Sequence, residues 1–362
     1  MRARRVLCGW AAFPAMCTLA ATAFASQAPQ PETGPKRADT TPLRQIVAWQ
    51  VALERQGFSP GVIDGKPGPK TLLALSELQR ARGQTVTGRL DVAAAEALGL
   101  RCDDAAAVLQ YTLQQTDADQ VTGPFKGWLD KSKATRIGYR NLADELAEKF
   151  HCSLALLSAL NNNMDLAKLK VGDSVTVPAV TPSESPHAAR LKVNLSEKVI
   201  RCFNEDGRMV ALFHCSIARD AERRPLGSLK VAGVTRDPEY LFDPEMWSEV
   251  KGIDRKLVIP PGPRNPVGLC WIALDRPGFG MHGTPNPELI GKTGSHGCFR
   301  LTNWDAVRLS GMVRHGTPVE ILNAESQAAP EPVLPSPPDF SDAPSMDSDT
   351  PQVALGIDAD HH

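Results

Sequence analysis

One cysteine of this sequence stands where a thiol could act as a nucleophile. Cys298 follows Ser295, His296 and Gly297, so its neighbours are small or polar. A reactive thiol needs partial exposure and an electropositive setting that stabilises the thiolate. The other cysteines beyond residue 25 lie in apolar or helical runs, where cysteine serves as a small buried side chain or a disulfide partner. These are Cys102, Cys152, Cys202, Cys215 and Cys270.

Two histidines remain as bases for Cys298 once the others are set aside. Six of the eight lie at chain ends, in linkers, at helix ends, in strands or before turns: His151, His187, His214, His315, His361 and His362. His282 and His296 are left. A thiol that attacks an amide needs a base in hydrogen-bond reach, which first forms the thiolate and then protonates the leaving amine. The residue types therefore predict acyl transfer by a Cys/His pair.

Two glycines, Gly294 and Gly297, bracket the Ser-His pair before the cysteine. Glycine permits turn conformations and a close approach of substrate to the backbone. Successive N–H groups in such a turn can point at one spot. That is the geometry of an oxyanion hole, which contributes about 3–4 kcal/mol per donor.

Zinc binding is the competing chemistry for His282, His296 and Cys298. Structural zinc sites use four ligands, and catalytic sites use three, often with a closely spaced pair on a helix. No Cys-x-x-Cys or His-x-x-x-His pair accompanies this group in the sequence. We therefore expect no metal and no other cofactor.

The stretches HGT (282–284) and SHGCFRLTNWD (295–305) resemble the signature of the L,D-transpeptidase catalytic domain, the YkuD type. This resemblance implies that Cys298 attacks the carbonyl between the third and fourth residues of a peptidoglycan stem peptide. D-Alanine then leaves, and a thioester forms. An amine of a neighbouring stem resolves the thioester and gives a 3-3 crosslink.

The resemblance also implies roles for the residues around the nucleophile. His282, in the His-Gly motif, would be the base, and Gly283 would orient it through its carbonyl. The backbone at His296, Gly297 and Cys298 would form the oxyanion hole.

Further residues of the motif are assigned by the same resemblance. Arg300 and Ser295 are expected to bind substrate, and the side chain of His296 is expected to help position it. For Asn303 and Asp305 we expect structural roles at the turn and the helix start.

Two alternatives to transpeptidation stay open at this point. Water in place of the amine would make the enzyme an L,D-carboxypeptidase or a crosslink hydrolase with the same acyl-enzyme. A non-catalytic scaffold that binds the wall is the other alternative, although the intact pair of His282 and Cys298 argues against it.

The elements that must position this motif are mostly strands. In residues 190–323, apolar and polar residues alternate, and the turn Asn204–Gly207 joins two runs as a hairpin. A mainly-β catalytic domain with one or two short helices is therefore expected. Loops around Tyr240, Trp247 and residues 258–268 are candidates for the walls of the substrate cleft.

Two smaller units precede the catalytic domain, so the fold class is multidomain. Residues 43–100 carry three helical runs and resemble the helical peptidoglycan-binding domain, with Asp91 as the N-cap of the third helix. Residues 137–180 resemble a LysM module, which binds N-acetylglucosamine-containing glycans; a small packing unit without sugar affinity is the alternative. Residues 101–136 are expected to be a connector and 181–189 a linker.

The two ends of the chain predict its location. Residues 1–25 read as a signal peptide, with Arg2, Arg4 and Arg5 before an apolar run and Ala23-Phe24-Ala25 as the cleavage pattern. A polar linker (26–42) follows it. Residues 324–362 contain eight acids and no Lys or Arg, and should form a disordered acidic tail.

Export to the periplasm or cell wall follows from these ends, with no membrane span after signal cleavage. The expected partner is peptidoglycan, both stem peptides and glycan. The body is mildly basic and lacks the concentrated patch that nucleic-acid binding needs. The oligomeric state stays open. Bridges between Cys102 and Cys152, or between Cys202 and Cys215, are possible in an oxidising compartment.

Overall fold

The computed structural model describes residues 42–181, 185–246, 250–295 and 297–323. The predicted signal peptide, nearly all of the linker after it and the predicted acidic tail lie outside these ranges. His296 and Trp247 also lie outside them.

Three helices form the first unit, as the spacing of apolar residues predicts. They are α1 (Pro42–Arg55), α2 (Pro69–Ala81) and α3 (Val92–Leu98). Asp91 caps α3 by accepting a hydrogen bond from the Ala94 N–H at 2.9 Å. Trp49 and Leu53 of α1 pack into one core with Leu75 and Leu78 of α2. The predicted helical domain is therefore confirmed.

The opposite face of α1 packs against a second unit, an α+β unit that spans residues 104–180. Val47 and Val51 share a core with Leu146, Phe150 and Leu157 of this unit. Because a single helix serves both cores, the helical unit and the α+β unit bury apolar surface together.

The α+β unit has short helices flanked by a pair of strands. Its elements are α4 (Asp104–Ala107), β1 (Val108–Thr112), α5 (Gln115–Ala118), α6 (Trp128–Lys131), α7 (Leu142–Lys149), α8 (Leu154–Leu160) and β2 (Ser174–Pro178). Ser153 caps α8, as predicted, by accepting from the Leu156 N–H at 3.1 Å. Asn141 caps α7 in the same way.

The first strand of this unit lies earlier than its sequence resemblance suggested. β1 pairs antiparallel with β2, with Val108 opposite Pro178 and Thr112 opposite Ser174. The segment 101–136, expected to be a connector, therefore supplies a structural strand, and the unit does not begin at residue 137. The pairing joins strands far apart in sequence, so no local hairpin signal marks it.

The third unit is an eight-stranded sheet with one long helix. The strands of this sheet are β3 (Arg190–Asn194), β4 (Val199–Phe203), β5 (Met209–His214), β6 (Gly227–Arg236), β9 (Cys270–Leu274), β10 (Gly280–His282), β11 (Phe299–Arg300) and β12 (Pro318–Leu322). Strands β7 (Tyr240–Phe242) and β8 (Leu257–Ile259) form a separate hairpin, and α9 spans Asn303–Met312. The predicted mainly-β fold of residues 190–323 is confirmed.

Strand order brings distant segments of this unit together. The sheet runs β11-β10-β9-β6-β12-β3-β4-β5. β6 links the two halves: it pairs with β12 at one end and with β9 at the other, with a bulge between Val231 and Gly233. The functional motif lies on the β9-β10-β11 edge.

A buried ion pair joins the helical unit to the sheet. Arg201 of β4 donates to both carboxylate oxygens of Glu77 on α2, at 3.0 and 3.2 Å. Glu77 is 2% exposed. Burial acts to raise the pKa of Glu77, yet its bonds with Arg201 hold that pKa below the usual value.

Replacing Glu77 by alanine should destabilise the folded chain by about 3 kcal/mol, the low end of the cost of breaking a buried ion pair. The low end is expected because Arg201 keeps a second partner, Glu197, at 2.7 Å. Urea unfolding at pH 7 measures this change. Lys168→Ala, which removes an exposed pair with Asp165, is the control and should leave the midpoint unchanged. An unchanged midpoint for Glu77→Ala would contradict the prediction.

Two further observations concern the predicted location and redox state. Within the described ranges, no helix is long and apolar enough to cross a membrane. The six cysteines in those ranges carry free thiols: Cys102, Cys152, Cys202, Cys215, Cys270 and Cys298.

Candidate active site

Three neighbouring strands place the predicted catalytic residues side by side. β10 pairs antiparallel with β9, so that His282 lies opposite Trp271, and parallel with β11, so that His282 lies opposite Arg300. Cys298 precedes Arg300 by two residues. Cys298 lies in a bend just before β11 and is close enough to Arg300 that the two groups shift each other's pKa. The sheet therefore brings the candidate base and cation to one face, with the candidate nucleophile next to the cation.

Cys298 is partly exposed in the bend just before β11. Its Sγ lies 3.5 Å from the carbonyl oxygen of Gly278. Burial raises the pKa of the thiol, while the N–H of Gly280 and the charge of Arg300 act to lower it. In the free enzyme the thiol is thus mainly protonated and needs a base to become a thiolate.

His282 meets the requirements for that base. Its Nδ1 lies 2.6 Å from the carbonyl oxygen of Gly283. A carbonyl only accepts, so Nδ1 carries the proton and Nε2 of the neutral ring is free to accept one. The ring is 6% exposed and stacks on Trp271 with centroids 5.5 Å apart. Burial lowers the pKa of His282 to about 4, and the charge of Arg300 adds to this effect.

The loop before Cys298 is braced by Ser295. The Ser295 hydroxyl donates to the Cys298 carbonyl oxygen at 2.5 Å and accepts from the Gly297 N–H at 3.2 Å. The side chain is buried and committed to backbone. Substrate binding by Ser295 was expected from the sequence; in the structure its hydroxyl bonds to these two backbone groups of the loop.

The same contact changes the expected oxyanion hole. The Gly297 N–H, one of its three expected donors, points to Ser295 Oγ. His296, which supplies another, lies outside the described residues. Of the three expected donors, the Cys298 N–H is therefore the described one that can still donate to an oxyanion.

Arg300 lies beside the base with its backbone fixed and its side chain partly buried. Its N–H donates to the Ser216 carbonyl at 3.0 Å, and its carbonyl accepts from the Ser216 N–H at 2.8 Å. Burial lowers the pKa of the guanidinium, and neighbouring Cys298 and Tyr240 act to raise it. Within the part of the chain that the structure describes, no carboxylate forms an ion pair with Arg300. A partly buried cation without a described carboxylate partner favours an anionic ligand.

An open cleft of about 350 Å³ lies beside Trp271, the residue that stacks on His282. Thr235 lies opposite Trp271 in the sheet, and both line the cleft with Val267 and Tyr240. The expected wall residue Tyr240 is therefore at the cleft.

Two glycines behind His282 are packed without room for a side chain. A Cβ on Gly283 would lie 2.1 Å from Asn303 Oδ1, and one on Gly268 would lie 1.9 Å from the same atom. Gly268 also has φ +62°. Asn303 thus fills the space behind His282. Only glycine at positions 268 and 283 lets the Asn303 side chain come this close to the backbone.

Gly268→Ala should destabilise the protein by about 2–4 kcal/mol, because it adds overpacking to left-handed backbone strain. Gly99→Ala is the matched control, since Gly99 has φ +63° with nothing within 4 Å of its Cβ position. It should cost only about 1 kcal/mol. Thermal unfolding of the two variants compares them, and equal shifts in Tm would contradict the account.

Sequence reasoning missed two residues that shape the site. Trp271 stacks on the base, but the link becomes visible only when β9 is known to pair with β10. For Asn303 a structural role at the turn and the helix start was expected, and it is the first residue of α9. The N-cap of α9 is Thr302, which accepts from the Asp305 N–H at 3.2 Å. The contacts of the Asn303 side chain with Leu269, Pro263 and Glu148 were not predicted.

Two segments of the chain match known families. Residues 188–321 match the YkuD family, described as "L,D-transpeptidase catalytic domain". Residues 44–98 match the family described as "Putative peptidoglycan binding domain". Both segments agree closely with the helical unit and the sheet unit of the structure.

Curated relatives carry the same family name. The chain is 26% identical over 179 residues to "Putative L,D-transpeptidase YkuD" of Bacillus licheniformis, covering 49% of this chain and 92% of that protein. It is 25% identical over 189 residues to "Probable L,D-transpeptidase YbiS" of Escherichia coli K12, covering 51% of this chain and 61% of that protein.

Solved structures of L,D-transpeptidases also align with the chain. L,D-Transpeptidase 3 from Mycobacterium tuberculosis, in complex with a faropenem-derived adduct, aligns with 19% identity and a TM-score of 0.30, covering 42% of this chain and 75% of that one. The enzyme from Xylanimonas cellulosilytica aligns with 17% identity and a TM-score of 0.32, covering 77% of this chain and 93% of that one.

Proposed function

Because the chain carries an L,D-transpeptidase catalytic domain of the YkuD family in residues 188–321, we propose that it crosslinks peptidoglycan through a thioester on Cys298. The observation that carries this proposal is the row of Trp271, His282 and Arg300 across three strands, with Cys298 just before β11 and electrostatically coupled to Arg300. Trp271 connects this row to the cleft, because it stacks on His282 and lines the cleft.

The first half-reaction follows from the site's protonation state. As Cys298 Sγ bonds to the carbonyl carbon between the third and fourth stem residues, the thiol proton passes to His282 Nε2. The Cys298 N–H donates to the developing oxyanion. The intermediate then collapses, the C–N bond breaks, and His282 returns the proton to the leaving amine of D-alanine.

The second half-reaction reverses the roles. The acceptor amine attacks the thioester carbon and gives its proton to His282. The C–S bond breaks, and Cys298 regains its proton from His282. The product is an amide, a 3-3 crosslink, and the enzyme returns to its initial state.

Arg300 supplies the contact for the substrate's negative charge. The leaving D-alanine ends in a carboxylate, and a buried guanidinium next to the nucleophile binds such a group well. Trp271 stacks on the ring of His282 and covers one of its faces. We propose that the stem lies along the cleft between Tyr240 and Trp271.

The accessory units are proposed to hold the enzyme on its polymer. Residues 44–98 match a peptidoglycan-binding family, and the α+β unit with its LysM-like helices is proposed to contact the glycan. Such a substrate places the enzyme in the periplasm or cell wall. The N-terminal segment proposed as an export signal is consistent with that location.

Incubation of the purified protein with disaccharide-tetrapeptide tests the proposal. Mass spectrometry should find 3-3 dimers, and Cys298→Ala should form none. Tripeptide monomers alone would show that water is the acceptor, which is the carboxypeptidase or hydrolase alternative. Unchanged substrate would favour the wall-binding scaffold.

A further inference from the structure

Helix α7 of the α+β unit presents two acidic side chains to the catalytic domain directly behind His282. Asp144 and Glu148 are four residues apart, so they lie on one face of the helix. Asp144 is 8% and Glu148 9% exposed. Both face groups of the catalytic domain: Asp144 lies 3.6 Å from Arg264, in addition to its pair with Arg140 at 2.9 Å within the α+β unit, and Glu148 accepts from Asn303 Nδ2 at 2.7 Å.

Asn303 is held in one orientation by three hydrogen bonds. Besides Glu148, its Nδ2 donates to the Pro263 carbonyl at 3.0 Å, and its Oδ1 accepts from the Leu269 N–H at 3.1 Å. Both hydrogens of the amide are thus used. In this orientation Oδ1 packs against the Cα of Gly283, where no Cβ would fit.

The backbone that Asn303 supports is the one that orients the base. The Gly283 carbonyl holds His282 Nδ1 at 2.6 Å. Two residues on, the carbonyl of Pro285 accepts a hydrogen bond from Arg264, the partner of Asp144. The two acids of α7 therefore each fix one end of the segment that follows His282.

We propose that Glu148 and Asp144 are positioning residues for the catalytic base, so that the α+β unit is part of the acyl-transfer machinery. Loss of Glu148 leaves a buried N–H of the Asn303 amide without its acceptor. An unpaired buried N–H costs free energy, and rotation of the Asn303 side chain relieves that cost. Rotation of Asn303 would release Gly283 and shift the imidazole. A shift of about 1 Å at a reacting group can cost about 10²-fold in rate. The proposal rests on the proposed function only in taking His282 as the base of Cys298.

The test compares Glu148→Leu with Glu148→Gln in the full-length protein. Glutamine keeps a carbonyl oxygen for the Asn303 amide, whereas leucine keeps the size and loses the acceptor. Glu145→Leu is the matched control, because Glu145 is buried on the same helix and lies beside Lys149 at 3.7 Å. Two rates are measured: alkylation of Cys298 by iodoacetamide, located by peptide mass, and kcat and KM on disaccharide-tetrapeptide.

Glu148→Leu should lower both the alkylation rate and kcat about 10–100-fold with KM little changed, as expected for a misplaced base. Glu148→Gln should restore both rates, and Glu145→Leu should keep them. A folded Glu148→Leu variant with wild-type rates overturns the proposal, as does a loss of equal size in Glu148→Gln.

A second variant covers the case in which Glu148→Leu does not fold. Glu148→Asp is one methylene shorter and withdraws the acceptor from Asn303 while keeping the charge. It should lower the alkylation rate, and wild-type rates in this variant overturn the proposal. Alkylation needs no peptidoglycan, so a wild-type enzyme that forms no crosslinks would count against the proposed function alone.

Discussion

Cys298→Ala should abolish crosslink formation, with a loss of at least about 10⁴-fold in kcat, because the variant lacks the thiol that is proposed to carry the acyl chain. The change removes a partly exposed thiol and leaves the loop held by Ser295 in place. Folding should therefore be unaffected. Dimer formation from disaccharide-tetrapeptide, followed by chromatography and mass spectrometry, measures the loss.

Cys102→Ala is the matched control for this variant. Cys102 is also partly exposed, but it lies outside the sheet unit, and burial raises its pKa to about 12. It should retain wild-type activity. Crosslink formation by Cys298→Ala, or loss of crosslink formation in Cys102→Ala, would show that Cys298 is not the nucleophile.

His282→Gln should lower kcat about 10²–10⁴-fold, the usual contribution of a general base. The effect of His282→Gln on the pH profile is as informative as the size of the loss in kcat. The pKa of His282 is lowered to about 4 by burial, so the ring is neutral and able to accept a proton at all pH values above that. Wild-type activity should therefore fall only as the pH drops through about 4.

The alkaline side of the profile reports on the thiol. Because burial raises the pKa of Cys298, thiolate forms without help only at high pH. In His282→Gln the acid limb should vanish, and the residual rate should rise with pH as thiolate accumulates. His315→Gln is the control: His315 also places Nδ1 on a carbonyl, that of Ala232 at 3.0 Å, but it lies on the surface. A His282→Gln profile identical to wild type would exclude His282 as the base.

Local signals in the sequence predicted the elements whose causes are local. Asp91 and Ser153 begin their helices because a side-chain oxygen can satisfy an N–H three residues on. The hairpin between β4 and β5 follows from the Asn204–Gly207 turn and the alternation beside it. The motif around Cys298 was equally readable, since its residue types carry the chemistry.

What the sequence left unpredicted depends on contacts between distant segments. Strand β1 could not be predicted because its partner β2 lies beyond four helices in the sequence. The stacking of Trp271 on His282 requires the order of the sheet. The buried orientation of the Ser295 side chain and the hydrogen bond between Asn303 and Glu148 depend on how whole units pack. No local sequence pattern predicts such packing.

A mass measurement of the acyl-enzyme tests the central claim most directly. Full-length enzyme is mixed with disaccharide-tetrapeptide, quenched in acid within the first turnovers and digested for peptide mapping. The account predicts an adduct with the mass of the donor minus D-alanine on the peptide that carries Cys298, removable by hydroxylamine as a thioester. Turnover with an adduct on another residue, or with no covalent adduct at any quench time, would contradict it.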